Sequence, residues 1–178
     1  MSKILNTQLI GIFNRLEKQS LEIQMAAQCL IQAIGGEGYV YVKGYDDLQF
    51  FESFILHSDE RLKSSRKLDA IKDFKEIDST DRVLLFAPFY NDQVALDIQK
   101  LIDLDIDVVL ISNKPKTDDF PDHLVHFIDL STPRPIVYTE DYDKIVQPHA
   151  MALNYVYYDI YTHMILSLIH IAEPTRQA

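Results

Sequence analysis

The part of the chain that most constrains its fold runs from Asp81 to Asp92 and reads DRVLLFAPFYND. Its apolar run over 83–86 is typical of a strand that is buried on both faces of a parallel sheet. Asn91 or Asp92 can then cap a helix, because these side chains accept hydrogen bonds from the free N–H groups of a first helical turn. That helix has its apolar residues at helical spacing: Val94, Ala95, Ile98, Leu101 and Ile102. In an open parallel sheet, ligands usually bind at the turn between such a strand and such a helix.

The rest of the chain repeats this alternation of short apolar runs and helical stripes. The predicted strands cover residues 38–42, 83–86, 108–111, 124–128 and 136–138. The predicted helices are two before Gly35, one opened by Asp46 or Asp47, one over 68–74, one from Asn91, and one from Pro148 to Met164 or its neighbours. This order predicts the α/β class as a three-layer sandwich, in which a parallel sheet of four or five strands has helices on both faces. We expect Val40, Leu84 and Val109 to lie in its central strands.

Length, charge and cysteine content narrow the class of protein. At 178 residues the chain fits one domain with a sizeable core. A formal net charge of -10 argues against binding to nucleic acid or to an anionic membrane, because both carry the same sign of charge. The single cysteine, Cys29, excludes an internal disulfide. No charged-then-apolar signal sequence opens the chain and no apolar run reaches about 18 residues, so we expect a cytoplasmic protein without a membrane partner.

The last residues differ in character from the rest. The segment from Leu166 to Arg176 reads LSLIHIAEPTR and resembles the in-frame translation of a transposon-end adapter used in making sequencing libraries, with Ala172 where the adapter encodes serine. The alternative is an ordinary apolar helix end with a polar tail. We therefore assign residues 1–165 to the domain, treat 166–178 as a non-native tail, and leave that tail out of functional reasoning.

Four motifs carry a resemblance to a known family. They are GGEGYVYVKGYDD, DRVLLFAPFYND, DVVLISNKP and VQPHA, and they follow a pair of N-terminal helices. In this order they resemble the sugar isomerase (SIS) domain, in particular phosphoheptose-isomerase-like proteins, and among these an uncharacterised SIS-like family of Bacilli. The resemblance covers residues 5–164. It implies a carbohydrate derivative as ligand and a homodimer as the assembled state. Apolar residues outside the main stripes of the N-terminal helices, such as Ile4, Ile10 and Met25, also favour a dimer formed by the N-terminal and C-terminal helices.

The turn after residue 86 departs from the pattern of that family. SIS domains usually have Ser-x-Ser-Gly-x-Thr here, and the hydroxyl and N–H groups of that turn hold a sugar phosphate. This chain has Ala87 and Phe89 at the serine positions, Tyr90 at the glycine and Asp92 at the threonine. Three hydroxyl donors are missing, and a carboxylate at a helix start repels a phosphate. The turn is therefore a poor phosphate cradle, and the site has either changed its ligand or lost it.

The candidate ligand-binding residues lie at the carboxyl ends of the predicted strands and on the helix that follows the first strand. They are Gly44, Tyr45, Asp46, Asp47, His57, Pro88, Phe89, Tyr90, Asn91, Asp92, Asn113 and Lys114. Asp46 and Asp47 could accept hydrogen bonds from sugar hydroxyls, or one of them could simply cap the next helix. Lys114 could pair with an anion.

The catalytic candidates are His149 and Glu60. His149 matches a family histidine at the start of the last helix, where a neutral imidazole could act as a base, although such a residue is more often a cap or a surface residue. Glu60 lies one position before the expected family glutamate, which is Arg61 here. His57 matches a family metal ligand, but a zinc site needs about three or four convergent ligands and this set offers two histidines. We expect neither a metal nor a cofactor.

Three hypotheses for function remain open at this point. The first is a SIS-like domain that binds a carbohydrate derivative without the usual phosphate-loop chemistry. The second is an active sugar-phosphate isomerase, which needs a base to move a proton between adjacent carbons. The third is a non-catalytic scaffold whose helices bind a protein partner.

Overall fold

A five-stranded parallel sheet organises the chain. The computed structural model describes residues 2–116, 120, 124 and 126–172, with side chains to residue 169. The strands are β1 (Val40–Gly44), β2 (Ser65–Lys67), β3 (Arg82–Phe89), β4 (Val108–Asn113), β5 (His126–Asp129), β6 (Val137–Tyr138) and β7 (Lys144–Ile145). The helices are α1 (Ser2–Glu17), α2 (Ser20–Ile34), α3 (Phe51–His57), α4 (Asp92–Asp103) and α5 (His149–Ala172). The sheet order is β2-β1-β3-β4-β5, and every pairing in it is parallel. Val40, Leu84 and Val109 lie in the three central strands, as the sequence predicts.

Helices cover both faces of this sheet, so the predicted α/β sandwich is confirmed. One face packs against α1, α2, α3 and α5 through strand residues such as Val42, Leu84 and Val109. The opposite face packs against α4 through Val83, Leu85 and their neighbours. Successive residues of each strand alternate between these two cores, because side chains of a strand point to opposite faces. The central strands are apolar in both sets of positions, which explains their continuous apolar runs.

Several elements differ from the prediction. The helix expected to open at Asp46 or Asp47 begins only at Phe51, after a short 3-10 helix at Asp46–Leu48, and neither aspartate side chain caps it. The fifth strand of the sheet is β2, whose polar sequence Ser-Arg-Lys suits an exposed edge and gives no apolar signal. The predicted strand at 136–138 instead forms an antiparallel hairpin of β6 with β7, apart from the main sheet. The predicted helix over 68–74 is two short 3-10 helices, Leu68–Ala70 and Phe74–Glu76. Part of the predicted strand at 124–128 lies outside the described residues, and β5 begins at His126.

The last helix is longer than predicted. It begins at His149, directly after Pro148, and continues past Met164 to Ala172. Met164 is buried, whereas Leu166 and Ile169 are half exposed. The boundary of the domain at residue 165 therefore stays a prediction. Among the helices that the structure describes, none combines the length and apolar character needed to cross a membrane.

Candidate functional site

The carboxyl ends of β1, β3, β4 and β5 gather most of the predicted ligand-binding residues at one edge of the sheet. Two cavities open there. We call the first the Tyr90 cavity; it holds about 590 Å³, and its lining includes Phe89, Tyr90, Asn91, Asp92, Lys114 and Lys116. We call the second the Glu52 cavity; it holds about 600 Å³, and its lining includes Asp46, Asp47, Phe50, Glu52, His57 and Lys67.

A hydrogen bond between two turns connects the cavities. The Asn91 Nδ2 group donates to Asp46 Oδ2 at 2.9 Å. At the same time, Asn91 Oδ1 accepts from the Val94 N–H group at 3.1 Å, so Asn91 is the cap of α4, one of the two predicted alternatives. The backbone of Asp46 has a φ of 52°, a left-handed conformation that aspartate tolerates better than most residues. The side chains of Asn91 and Asp46 are thus already engaged with each other, and the candidate ligand groups of the two cavities are held in one arrangement.

The Tyr90 cavity combines aromatic rings with charged groups. Phe89 is 40% exposed, and the Tyr90 ring packs on Phe120 with 5.4 Å between ring centroids. Burial raises the pKa of the Tyr90 phenol, which therefore stays a neutral hydrogen-bond donor at pH 7. Asp92 and Lys114 are exposed at its rim. The cavity therefore offers ring faces for an apolar surface of a ligand and donors and acceptors for its polar groups.

The Glu52 cavity contains a buried carboxylate that the sequence analysis did not single out. Glu52 is 4% exposed, and its Oε1 atom accepts from the Gly44 N–H group at 2.8 Å. Its Oε2 atom lies 3.5 Å from Lys67 Nζ. His57, a predicted ligand residue, is exposed on the wall of this cavity together with Asp47. Glu52 lies on the buried side of α3 among apolar residues, where a sequence pattern gives no reason to expect a ligand.

Gly44 and Tyr45 serve the fold at this edge. A Cβ atom at Gly44 would lie 2.5 Å from Phe86 Cε2 and 2.8 Å from the Leu48 carbonyl oxygen, so the close approach of the turn to β3 requires glycine. The Tyr45 ring is buried on the α4 face, and its hydroxyl donates to Asp97 Oδ2 at 2.6 Å. The structure therefore does not bring these two predicted ligand residues into either cavity.

A β-bulge in β3 determines where Phe89 lies. Phe86 pairs with Ile111 and Phe89 pairs with Asn113, so β3 has one more residue than β4 between these pairs. The extra residue reverses the alternation of faces, which would otherwise put Phe89 on the α4 side. The Phe89 ring instead meets the His149 ring edge to face, at 5.1 Å between centroids. The aromatic side chain of Phe89 thus covers the histidine.

His149 belongs to a buried chain of hydrogen bonds. Its Nδ1 atom lies 2.7 Å from Thr132 Oγ1, and its Nε2 atom lies 2.6 Å from Gln147 Oε1. Asn113 Nδ2 donates to Thr132 Oγ1 at 3.0 Å and to the Pro88 carbonyl oxygen at 2.8 Å, and Asn113 Oδ1 accepts from the Thr132 N–H group at 2.8 Å. Asn113 and Pro88, both predicted as ligand residues, thus tie β4, β3 and the start of α5 together.

These contacts indicate the protonation state of His149. Because Gln147 Oε1 is an acceptor, Nε2 carries the proton, and Nδ1 accepts from the Thr132 hydroxyl. Burial lowers the pKa of the imidazole, while the Asp47 carboxylate opposes that shift, so the ring is neutral at pH 7. The sequence analysis expected a neutral ring because His149 lies at a helix start. In the structure, burial is the main cause of the lowered pKa. Both ring nitrogens are engaged, which makes His149 a hydrogen-bonded core residue that is 4% exposed.

The two catalytic candidates do not come together. The Glu60 carbonyl oxygen accepts a hydrogen bond from the Tyr157 hydroxyl. Tyr157 lies eight residues after His149 on α5, or about 12 Å along the helix axis at 1.5 Å per residue. An isomerase needs its base and its acid to reach adjacent atoms of one substrate. His149 and Glu60 lie too far apart in this structure to do so.

Besides Glu52, sequence reasoning missed three further residues of this edge. Thr132 and Gln147 contact His149, and Lys116 lines the Tyr90 cavity. Thr132 and Gln147 flank the hairpin in irregular segments, where no periodic pattern marks a buried position. Within the described residues, His, Cys, Asp and Glu side chains nowhere form a group of three that could hold a metal ion.

Two comparisons with known proteins match most of the chain. The model of a family described as a domain of unknown function (DUF2529) matches residues 1–166. The chain is also similar to the uncharacterized protein YwjG of Bacillus subtilis (strain 168), with 31% identity over 170 residues, covering 89% of this chain and 92% of the relative. A relative from a Bacillus agrees with the expected uncharacterised family of Bacilli. The family match includes every residue of the two cavities and of the His149 hydrogen-bond chain.

Proposed function

The chain belongs to the DUF2529 family, and we propose that it binds a small carbohydrate derivative in the Tyr90 cavity without catalysing isomerisation of a sugar phosphate. The observation that carries this proposal is the lining of that cavity. Two aromatic rings, Phe89 and Tyr90, stand beside Asn91, Asp92 and Lys114 at the carboxyl edge of a parallel sheet. Small-molecule sites are mostly apolar with a few well-placed polar groups, and a sugar has both an apolar ring face and hydroxyl groups. The likeness to SIS domains points to the same class of ligand.

The geometry favours this proposal over an isomerase. An isomerase needs a base free to take a proton from carbon, whereas both nitrogens of His149 are engaged and Phe89 packs on its ring. Glu60 contacts α5 at Tyr157, about two helical turns after His149. The turn that holds the phosphate group in SIS domains is also altered here. Asp92 supplies a carboxylate at the N-terminus of α4, and this carboxylate repels a phosphate.

We expect a calorimetric titration with a hexose, a hexosamine, a hexuronic acid and a hexose phosphate to find binding to one of the first three. Replacing Tyr90 by alanine should weaken that binding by tenfold or more, since loss of a stacked ring and its hydroxyl costs about 1.5–3 kcal/mol. Tyr142→Ala is the matched control, because Tyr142 is 87% exposed on the hairpin and lines neither cavity. Equal affinities for both variants would place the ligand elsewhere.

The hexose phosphate separates this proposal from the isomerase. The wild type should show no measurable affinity for it, whereas Phe89→Ser combined with Asp92→Thr restores two hydroxyl groups, removes one negative charge and should give detectable binding. Micromolar binding of the phosphosugar by the wild type would refute the proposal and put the isomerase first.

We also propose that the chain is a homodimer, and a groove between α1 and α5 supports this. Phe13 stacks on Tyr155 at 5.2 Å, and the groove beside them, about 470 Å³, is also lined by Phe50, Met151 and Tyr158. Each of the last three is 46–63% exposed. Exposed apolar side chains gathered in one groove of the helical layer are typical of an interaction surface.

Light scattering at tens of micromolar should show a dimer, and Met151→Glu should shift it towards monomer by placing a charge in the groove. Ile145→Glu is the control, since Ile145 is similarly exposed, at 46%, on the hairpin. The proposed dimer surface would be contradicted if the wild type were a monomer, or if Met151→Glu left the proportion of dimer unchanged.

A further inference from the structure

The hairpin between β5 and α5 meets His149 at both of its ends, and we propose that it is a gate for the His149 ring, with Val146 as its hinge. The gate consists of residues 133–147. In the closed state that the structure shows, Gln147 covers Nε2 of the ring. In the open state, Gln147 leaves and Nε2–H becomes available to a ligand at the carboxyl edge.

Contacts at the two ends of the hairpin differ in strength. Before it, Thr132 is fixed to β4, because Asn113 Oδ1 accepts from its N–H group and Asn113 Nδ2 donates to its hydroxyl. After it, Gln147 is exposed and reaches the ring by a single hydrogen bond, from Nε2 to Gln147 Oε1 at 2.6 Å. Thr132 therefore stays with the sheet when the hairpin moves, and Gln147 is the part that uncovers the ring.

Backbone conformation identifies the hinge. Val146 has a φ of 68°, so the residue directly before Gln147 is in the left-handed region. Such a φ is a genuine outlier for a β-branched residue, because its side chain clashes with the backbone. The strain at Val146 favours any state in which this residue returns to an extended conformation, by about fivefold or more. The closed gate is therefore held against strain, and a modest change can open it.

Few other contacts attach the hairpin to the body. Within 133–147, Val137 alone is buried, and the partly buried Ile136 packs against the main core. The backbone hydrogen bonds of the segment are internal, such as Thr139 N–H to the Asp143 carbonyl oxygen at 2.8 Å and Ile136 N–H to the Val146 carbonyl oxygen at 3.0 Å. A segment with few buried apolar contacts opens at a low free-energy cost. The hairpin can therefore move as a unit with its own hydrogen bonds intact.

The gate adds regulation to the proposed binding edge, but its test needs no ligand, so the two proposals fail separately. The probe is diethyl pyrocarbonate, which acylates the unprotonated nitrogen of a neutral histidine ring, and mass spectrometry follows each histidine. Once Gln147 has left, the ring proton can move to Nδ1 and be donated to Thr132 Oγ1, and Nε2 is then free to react. His57 is exposed and gives an internal reference in the same sample. In the wild type, His149 should react at least tenfold more slowly than His57, because reaction has to wait for opening.

Substitutions at Val146 then move the gate in opposite directions. Asparagine tolerates the left-handed region, so Val146→Asn should stabilise the closed state and slow the reaction of His149 by about threefold or more. Proline is locked near a φ of -65°, so Val146→Pro cannot reach the closed conformation and should speed the reaction about tenfold or more. Val146→Ile keeps the β-branch at a 44% exposed position and should match the wild type.

An unchanged circular dichroism spectrum and a cooperative thermal transition verify that each variant is folded, and Val146→Asn carries the test if Val146→Pro unfolds. The proposal is overturned if His149 of the wild type reacts as fast as His57. It is also overturned if Val146→Asn reacts at the same rate as Val146→Ile.

Discussion

Replacing Asp97 by alanine should lower the free energy of unfolding by about 2–3 kcal/mol, because it removes a buried carboxylate that bonds two groups and leaves a partly buried lysine without its main partner. Asp97 lies on the sheet side of α4 and is 3% exposed. Its Oδ2 atom accepts from Lys43 Nζ at 2.9 Å and from the Tyr45 hydroxyl at 2.6 Å. Lys43 has a second carboxylate, Asp69, at 3.3 Å, but that side chain is 44% exposed and is screened by water. Urea unfolding at pH 7 measures the loss.

Two variants test whether the orphaned charge is the cause. Asp103→Ala removes an exposed aspartate from the same helix and should change the free energy of unfolding by less than about 0.5 kcal/mol. Lys43→Met combined with Asp97→Ala should be more stable than Asp97→Ala alone, since no partly buried lysine is then left without its partner. If the double variant is instead less stable than Asp97→Ala, the lysine left behind is not the cause of the loss.

The same pair makes stability depend on pH in a direction that its pKa shifts define. For Asp97, burial raises the pKa, but the Tyr45 and Lys43 hydrogen bonds outweigh it, and the net shift is downward. For Lys43, burial lowers the pKa, but the hydrogen bond and charge of Asp97 raise it overall. The contribution of the pair is therefore complete between about pH 5 and pH 10. It is lost as pH falls through the folded-state pKa of Asp97 or rises through that of Lys43, so the wild type and Asp97→Ala should converge in stability at acid pH.

How far the sequence predicts this fold depends on where each element lies in it. The strands β1, β3 and β4 are central, so their residues are apolar on both faces and their runs stand out. The strand β2 lies at an edge and is polar, so its three residues, Ser65 to Lys67, look like a loop. The segment over 68–74 has apolar residues at helical spacing, but they pack beneath β1 in two separate short turns. Periodicity identified the core positions there without fixing the length of the element.

The candidate site was predictable in its position but less so in its contacts. The rule that ligands bind at the carboxyl ends of parallel strands located Asn91, Asn113 and the turn between β3 and α4. It could not show that the Asn113 amide is hydrogen-bonded to Thr132, because Thr132 lies 19 positions away in a segment without hydrophobic periodicity. Nor could it show the β-bulge that places Phe89 against His149. One extra residue in a strand does not change the appearance of a continuous apolar run in the sequence. Contacts between segments distant in sequence decide which candidate residues are free to bind.

Replacing Gly38 by alanine should destabilise the protein by about 3 kcal/mol, because no side chain fits where the chain enters β1. A Cβ atom there would overlap the Thr80 carbonyl group and lie 3.2 Å from the Asp81 backbone nitrogen. Neither group can retreat easily. The Asp81 carboxylate holds the contact closed by accepting from the Tyr39 N–H group at 2.8 Å and from the Asp78 N–H group at 3.0 Å.

Gly11→Ala is the matched control for this substitution. Gly11 lies inside α1, and a Cβ atom there would meet only the end of the Arg15 side chain, at 3.6 Å. Alanine is the better helix former, so Gly11→Ala should stabilise the protein by about 0.5–1 kcal/mol. Thermal unfolding of the two variants should therefore move in opposite directions from the wild type. A fall in both would mean that glycine is needed for flexibility along the chain, whereas opposite shifts locate the requirement at the contact between Gly38 and the turn that opens β3.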